Sequence, residues 1–219
     1  MRPWSYSRLN CYEDCPKSYW YSYVENLPES KPQSPAAERG TKIHLEGENY
    51  LLNKTFLCPP SYQKVSAHVM GLKARRAIPE MKMAVNDKWE PVDYKAPDAY
   101  FRGIIDVHYV HEDTLYIEDF KTGQIYDSHP KQMEVYTALA AAEYPEVKEI
   151  TTRLIYVDQG IVTPPKTVPV ERLKPIRMLM DGRIGNAEEE TIFPATPSTN
   201  ACRFCGYHGK YGGPCKVGR

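Results

Sequence analysis

At 219 residues with 42% hydrophobic content, the chain can bury a core of its own, most simply as one large domain spanning 1–219. A formal net charge of zero argues against holding nucleic acid by bulk charge alone, and no apolar run approaches the roughly 20 residues that a bilayer span needs. Arg2, Ser5, Ser7 and Arg8 break up the start as no secretory signal would, so a soluble cytoplasmic protein without a membrane partner is expected; its six cysteines, with a CxxC near one end, then suggest metal ligation rather than disulfides.

Ser5 or Ser7 can cap a first helix that runs through Asp14, and Pro16 suits the opening of a second, which carries Tyr19, Trp20 and Tyr23. Those aromatics, with Tyr21, can pack a helical core or offer faces to unpaired bases. An extended loop is expected from Pro28 to Pro35. A helix follows from about Ala36 to Leu52, with Ile43, Leu45, Tyr50 and Leu51 as apolar candidates, and another helical stretch from about Ser61 to Ile78. FRGIIDVHYV and TLYIEDF are β-rich runs joined by HED, which predicts a hairpin. Pro130 sits where a first-turn proline belongs, opening a helix that ends before Pro145. TTRLIYVD and GIVTPPKTVPV are two further strands, the second kept from a central position by its prolines. A last helix from about Val170 to Glu190 leads into the tail CRFCGYHGKYGGPCK. The expected fold class is α/β, a mixed sheet with helices packed on it.

The hairpin carries the first chemical signal. If it turns about Glu112 and Asp113, paired residue numbers sum to 225 and Asp106 lies opposite Asp119. Facing carboxylates repel, so the pair calls for a cation or a raised pKa, and a hard divalent ion such as Mg²⁺ fits. Lys121 lies two residues past Asp119, on the same strand face, while Glu118 points to the opposite one. Acids that fix a metal, beside a lysine that orients a nucleophile or offsets charge on phosphate, suit phosphodiester hydrolysis. His44 follows Gly40 by one helical turn, where glycine lets a neighbouring element come close beneath the imidazole. Gln132 and Tyr136 are likewise one turn apart on the helix after the hairpin.

Taken in order, these pieces resemble the RecB-like branch of the PD-(D/E)XK nuclease superfamily, with its CRISPR-associated and AddB-like iron-sulfur members and phage exonucleases. YSRLNCYEDCPKSYWYSYV resembles the opening S-x-L-x-x-Y-x-x-C-P element and RGTKIH the G-x-x-x-H motif. FRGIID, EDFKTG and QMEVY match G-x-x-D, D-x-K and Q-x-x-x-Y. The resemblance implies a restriction-endonuclease-like sheet flanked by helices, with His44, Asp106 and Asp119 as ligands of Mg²⁺ or Mn²⁺. It further implies Lys121 as the catalytic lysine, Gln132 and Tyr136 as substrate-side or positioning groups, and DNA, as single strands or ends, as the partner. Activity is then expected to be exonucleolytic; a non-catalytic nucleic-acid-binding accessory protein and a zinc-stabilised interaction module are the alternatives.

In the iron-sulfur members one N-terminal cysteine joins three C-terminal ones around a 4Fe-4S cluster. Cys15, directly before Pro16, holds that position and would complete Cys202, Cys205 and Cys215, so that 1–27 and 191–219 form a cluster subregion beside a 36–190 catalytic core. The last spacing departs from the commonest pattern, with nine residues between Cys205 and Cys215. Cys11 is the rival fourth ligand, and His208 offers a Cys3His zinc site made from the tail alone. Cys58 has no partner in this scheme and is expected to act as a small hydrophobe.

Overall fold

The structure, a computed structural model, describes residues 2–32 and 34–217; Met1, Gln33, Gly218 and Arg219, which fall within the expected terminal segments and the Pro28-to-Pro35 loop, lie outside them. The chain divides into two units, Met1–Pro3 with Pro35–Leu179, and Trp4–Ser34 with Met180–Arg219.

The second of these contains α1 (Tyr6–Asp14) and α2 (Pro16–Tyr19), the latter running on into a wider helical turn over Trp20–Val24. Ser5 caps α1 by accepting the Arg8 N–H at 3.2 Å. Arg8 is buried: its guanidinium lies 4.3 Å from the Trp4 ring and donates to Tyr19 Oη at 2.8 Å, while Tyr19 stacks on Trp4. Tyr19 and Tyr21 are therefore spent on packing rather than held out to a ligand.

In the larger unit α3 (Pro35–Leu51) follows the expected span, and its apolar stripe buries Ile43, Tyr50 and Leu51 against Tyr62, Val69 and Phe120. Leu45 is the exception, 52% exposed. The expected helix from Ser61 to Ile78 is shorter. It begins as a tight turn over Pro60–Val65, continues as α4 (Ser66–Ala74), and gives way to β1 (Ile78–Val85), a strand the sequence reading missed. Arg76 takes a positive φ of 55° at that junction, which stops the helix and turns the chain into the sheet.

The hairpin forms as β2 (Phe101–His111) and β3 (Thr114–Lys121), in the register expected from His111 opposite Thr114 to Val107 opposite Glu118, but pairing stops there and the expected Asp106–Asp119 pair does not form. After it come α5 (Ser128–Glu143), β4 (Glu149–Tyr156), β5 (Ile161–Val162) and β6 (Lys166–Pro169). The described strands make one six-stranded sheet ordered β1-β2-β3-β4-β5, with β6 also on β4; β3 and β4 are parallel and the other pairs antiparallel. Joining parallel strands takes a crossover, and α5 supplies it. The helix buries Met133 and every residue from Val135 through Ala142, and its alanines let it lie close on the strands. The proline-rich segment splits into β5 and β6, both short and both on β4. The last long helix, α6 (Lys174–Glu188), spans the division between the units, and a short α7 (Thr199–Phe204) precedes the cysteine tail.

Leu51 and Leu45 share one helix but differ in burial, 6% against 52%. Leu51→Ala is expected to lower unfolding stability by about 2–5 kcal/mol and Leu45→Ala by less than about 0.5 kcal/mol, as measured by urea titration.

Candidate active site

The β2–β3 ladder ends at Val107 and Glu118. One step on, the Asp106 carboxylate accepts the Phe120 N–H at 2.7 Å, so a side chain takes up a donor that strand pairing leaves free where the strands part. That opening holds the remaining groups. His44, reaching in from α3, places Nδ1 3.1 Å from Asp106 Oδ1. Asp119 is 3% exposed, and its Oδ2 lies 2.5 Å from Lys121 Nζ. The same ammonium donates to Gln132 Oε1 at 2.8 Å, and Gln132 Nε2 donates to Tyr136 Oη at 2.8 Å. His44, Asp106, Asp119, Lys121, Gln132 and Tyr136 are thus brought together in one unit from α3, β2, β3 and α5.

Two glycines make room for this. A Cβ on Gly40 would come 3.1 Å from Thr122 Oγ1, directly after Lys121, so the close approach expected beside His44 is made by the end of β3. A Cβ on Gly103 would come 2.9 Å from the Tyr136 ring, so β2 carries glycine where α5 lays its tyrosine across it.

The electrostatics follow from burial. Burial, then Asp106, pushes the Asp119 pKa up, with Lys121 and His44 opposing. For His44 burial acts downward, but the carboxylates of Asp106 and Asp119 outweigh it and the net shift is upward. Burial raises the Tyr136 hydroxyl far above its ordinary value, so it stays a neutral donor and acceptor.

Two further residues belong here. Glu80 in β1 lies between the pairs Pro79–Val107 and Met81–Ile105, opposite Asp106, with a positive φ of 57°. Its pKa is raised by burial, then by Asp106 and Glu48. Finding it from sequence would have required recognising β1. His129 sits three residues before Gln132 on α5, and its pKa is lowered by burial and by Lys121. The spacing of 129, 132 and 136 along one helix face was the available signal. On the other side of β3, Glu118 is buried 2.5 Å from His68 Nε2, with Arg153 Nη1 3.6 Å away, so it stands apart from the site as expected.

Among the described residues no group of three His, Cys, Asp or Glu side chains is gathered tightly enough to hold a metal ion as it stands. The acidic opening nonetheless suits a hard divalent ion. The 3.1 Å between His44 Nδ1 and Asp106 Oδ1 is close to the edge of an octahedron with bonds of about 2.1 Å. Asp119 Oδ2 is buried with Lys121 Nζ beside it, and a carboxylate oxygen so paired keeps a second lone pair to give.

The cysteines are all free thiols. Cys15 links α1 to α2, its N–H donating to the Cys11 carbonyl at 3.1 Å. Cys11 Sγ and Cys205 Sγ lie 3.9 and 3.8 Å from the Ser18 hydroxyl, and burial pushes the Cys11 thiol up to about 11. Cys202 is buried in α7, which Ser198 caps. Cys205 Sγ accepts the Tyr207 N–H at 3.4 Å. The long Cys205-to-Cys215 loop is closed on itself: the Cys215 N–H donates to the Tyr207 carbonyl at 3.0 Å, and the Gly209 N–H to the Cys215 carbonyl at 2.8 Å. Cys15, Cys205 and Cys215 all lie near Tyr21, adding to the rise that burial causes in its hydroxyl pKa. Cys58 packs against the apolar cluster of the larger unit.

The raised Asp119 pKa has a measurable sign. Between the ordinary carboxylate value near 4 and about 6, the metal-free fold holds a proton that the unfolded chain has lost, so raising the pH through that window removes stability. Melting temperature measured from pH 4 to 7 in EDTA is expected to fall less steeply for Asp119→Asn than for the parent, and Mg²⁺ is expected to restore the parent at pH 7.5 without helping the variant.

A family profile described as the PD-(D/E)XK nuclease superfamily matches residues 3–209. No curated protein matches. Among solved structures, the crystal structure of SSO0001 is similar over 94% of this chain and 84% of its own, at 16% identity and a TM-score of 0.49. With the match running across nearly the whole chain, and a mixed sheet that opens at two aspartates beside a lysine, this chain belongs to the PD-(D/E)XK nuclease superfamily.

Proposed function

We propose that the chain is a metal-dependent deoxyribonuclease of the RecB-like iron-sulfur branch, acting as an exonuclease on single-stranded DNA or DNA ends. The observation that carries this is the meeting, where β2 and β3 part, of two aspartates, an imidazole and one ammonium group held by a glutamine. His44, Asp106 and Asp119 would hold Mg²⁺ or Mn²⁺. When bound, the ion supplies the Lewis acidity that makes water a usable nucleophile and offsets charge gathering on the phosphate.

The chain's own groups divide the remaining work. Tyr136 fixes which way the Gln132 amide points, and the Gln132 oxygen then holds Lys121 Nζ beside Asp119. An ammonium so placed orients the attacking water or stabilises the phosphorane-like charge of the transition state. Asp106, tied to the β3 backbone through Phe120, keeps its second oxygen toward His44. Cleavage of end-labelled DNA with Mg²⁺ or Mn²⁺ tests this directly. Asp119→Ala and Lys121→Ala are expected to lose at least about 100-fold in kcat, and an Asp119→Ala protein as active as the parent overturns the site.

Cys15, Cys202, Cys205 and Cys215 are proposed to hold a structural 4Fe-4S cluster in the unit that joins the two chain ends, with 36–190 as the catalytic core of a single nuclease domain. Several features support a thiolate set. The Tyr207 N–H already points at Cys205 Sγ, as donors do toward cluster sulfurs. His208 Nδ1 accepts the Lys210 N–H, so a neutral ring carries its proton on Nε2, the nitrogen a zinc site would need. Burial raises the Cys11 thiol against the lowering effect of its Ser18 hydrogen bond, which favours Cys15 as the fourth ligand. Protein purified anaerobically is expected to be brown with four irons per chain. Cys15→Ala is expected to lose the colour and most of the thermal stability and Cys11→Ala to keep both, while a colourless protein with one zinc per chain overturns the assignment.

A further inference from the structure

Beyond Lys121 the chain does not leave the site at once. Gly123, at φ 75°, is pinned there: its N–H donates to Asp158 Oδ2 at 2.7 Å and its carbonyl accepts from Gln159 Nε2. Asp158 is itself gripped by both Nη atoms of Arg39, five residues before His44 on α3. At the other end of the segment the His129 N–H closes a turn on the Tyr126 carbonyl at 3.1 Å. Between these two ties Ile125 and Tyr126 stand out 53% and 49% exposed, although both are large and apolar.

They are not isolated. The Tyr126 ring meets His129 edge-on with centroids 5.4 Å apart, and His129 in turn lies 5.7 Å from Tyr156, whose hydroxyl is 3.4 Å from His129 Nδ1. Tyr156 pairs with Lys121 across the parallel β3–β4 ladder, which fixes the aromatic row directly beside the lysine. The row therefore starts buried at Tyr156, passes through a half-buried His129, and ends in an exposed ring. Nothing in the hydrolytic chemistry uses it.

We propose that Tyr126 and His129 form a stacking subsite for the nucleobase next to the scissile phosphate, open only to a base that is unpaired. This rests on the nuclease reading above, which places the phosphate at Lys121. A base one nucleotide away falls within reach of the neighbouring rings, and stacking needs a free face, which a paired base inside a duplex does not offer. Any of the four bases can stack, so the subsite selects for single-strandedness rather than sequence. The two ties matter because a ring held on an anchored segment loses little freedom when a base lands on it.

The test uses the full protein, with its cluster if present, and a short single strand carrying 2-aminopurine at each position around the cleaved bond, in Ca²⁺ to prevent turnover. Quenching of the probe at one flanking position is expected with the parent, and Tyr126→Ala should abolish it while Tyr126→Phe retains it. In Mg²⁺, Tyr126→Ala should raise KM on single strands about tenfold, with kcat falling far less. Removing that one base, leaving an abasic sugar, should cost the parent a similar factor and cost Tyr126→Ala little more, since the two changes delete the same contact. A parent that cleaves but quenches at no position, or a Tyr126→Ala protein with parental KM and quenching, overturns the subsite. A parent that quenches the probe but cleaves nothing in any divalent metal upholds the subsite and overturns the hydrolytic reading instead.

Discussion

Two strands of a hairpin stop pairing at Asp106 and Asp119, and the site exists because of that parting. A ladder continued for one more step would have set the two carboxylates face to face and filled the space with backbone hydrogen bonds. Instead the Asp106 side chain takes up the Phe120 N–H, which removes the cost of an unpaired donor and leaves a gap floored by β-structure on both sides. β1 keeps pairing with β2, and β4 with β3, so each half of the opening stays rigid even as the two diverge.

Into that gap the fold directs more negative charge than it neutralises. Asp106, Asp119 and Glu80 share the space, against one ammonium and an imidazole. Burial makes the imbalance expensive, since carboxylates removed from water either take up a proton or need a cation. A divalent ion held as proposed by Asp106 and Asp119 would resolve this more fully than Lys121 alone. The second unit shows a related reliance on polar contacts to hold a core together, with Arg8 sandwiched among Trp4, Tyr19 and Tyr23.

Local rules carried much of this into the sequence. The hairpin register came from a two-residue turn and alternating side chains, and it placed Asp106, Asp119 and Lys121; helical spacing did the same for His44, Gln132 and Tyr136. What could not be read was set by contacts distant in the chain. β1 was hidden because IPEMKMAV carries a proline at its second position and has no clean alternation, and its burial comes from β2 and α5. With β1 hidden, so was Glu80. Leu45 fits the apolar period of α3 but falls at the edge of the buried stripe. The Cys205-to-Cys215 spacing departs from the commonest pattern, and the two backbone bonds that close the loop on itself are not visible in that spacing.

Glu118 lies next to Asp119 in sequence and points the other way, buried against His68 and close to Arg153. Side chains in a strand alternate, so a pairing error of a single residue would bring Glu118 into the opening and press Asp119 against His68. What separates the two arrangements is the far face of the strand, where His68 and Arg153 come from α4 and β4 at a reach suited to the longer side chain. The contacts behind the sheet thus favour the register in which Asp119 faces the opening, so the far side of the strand fixes which carboxylate lies there.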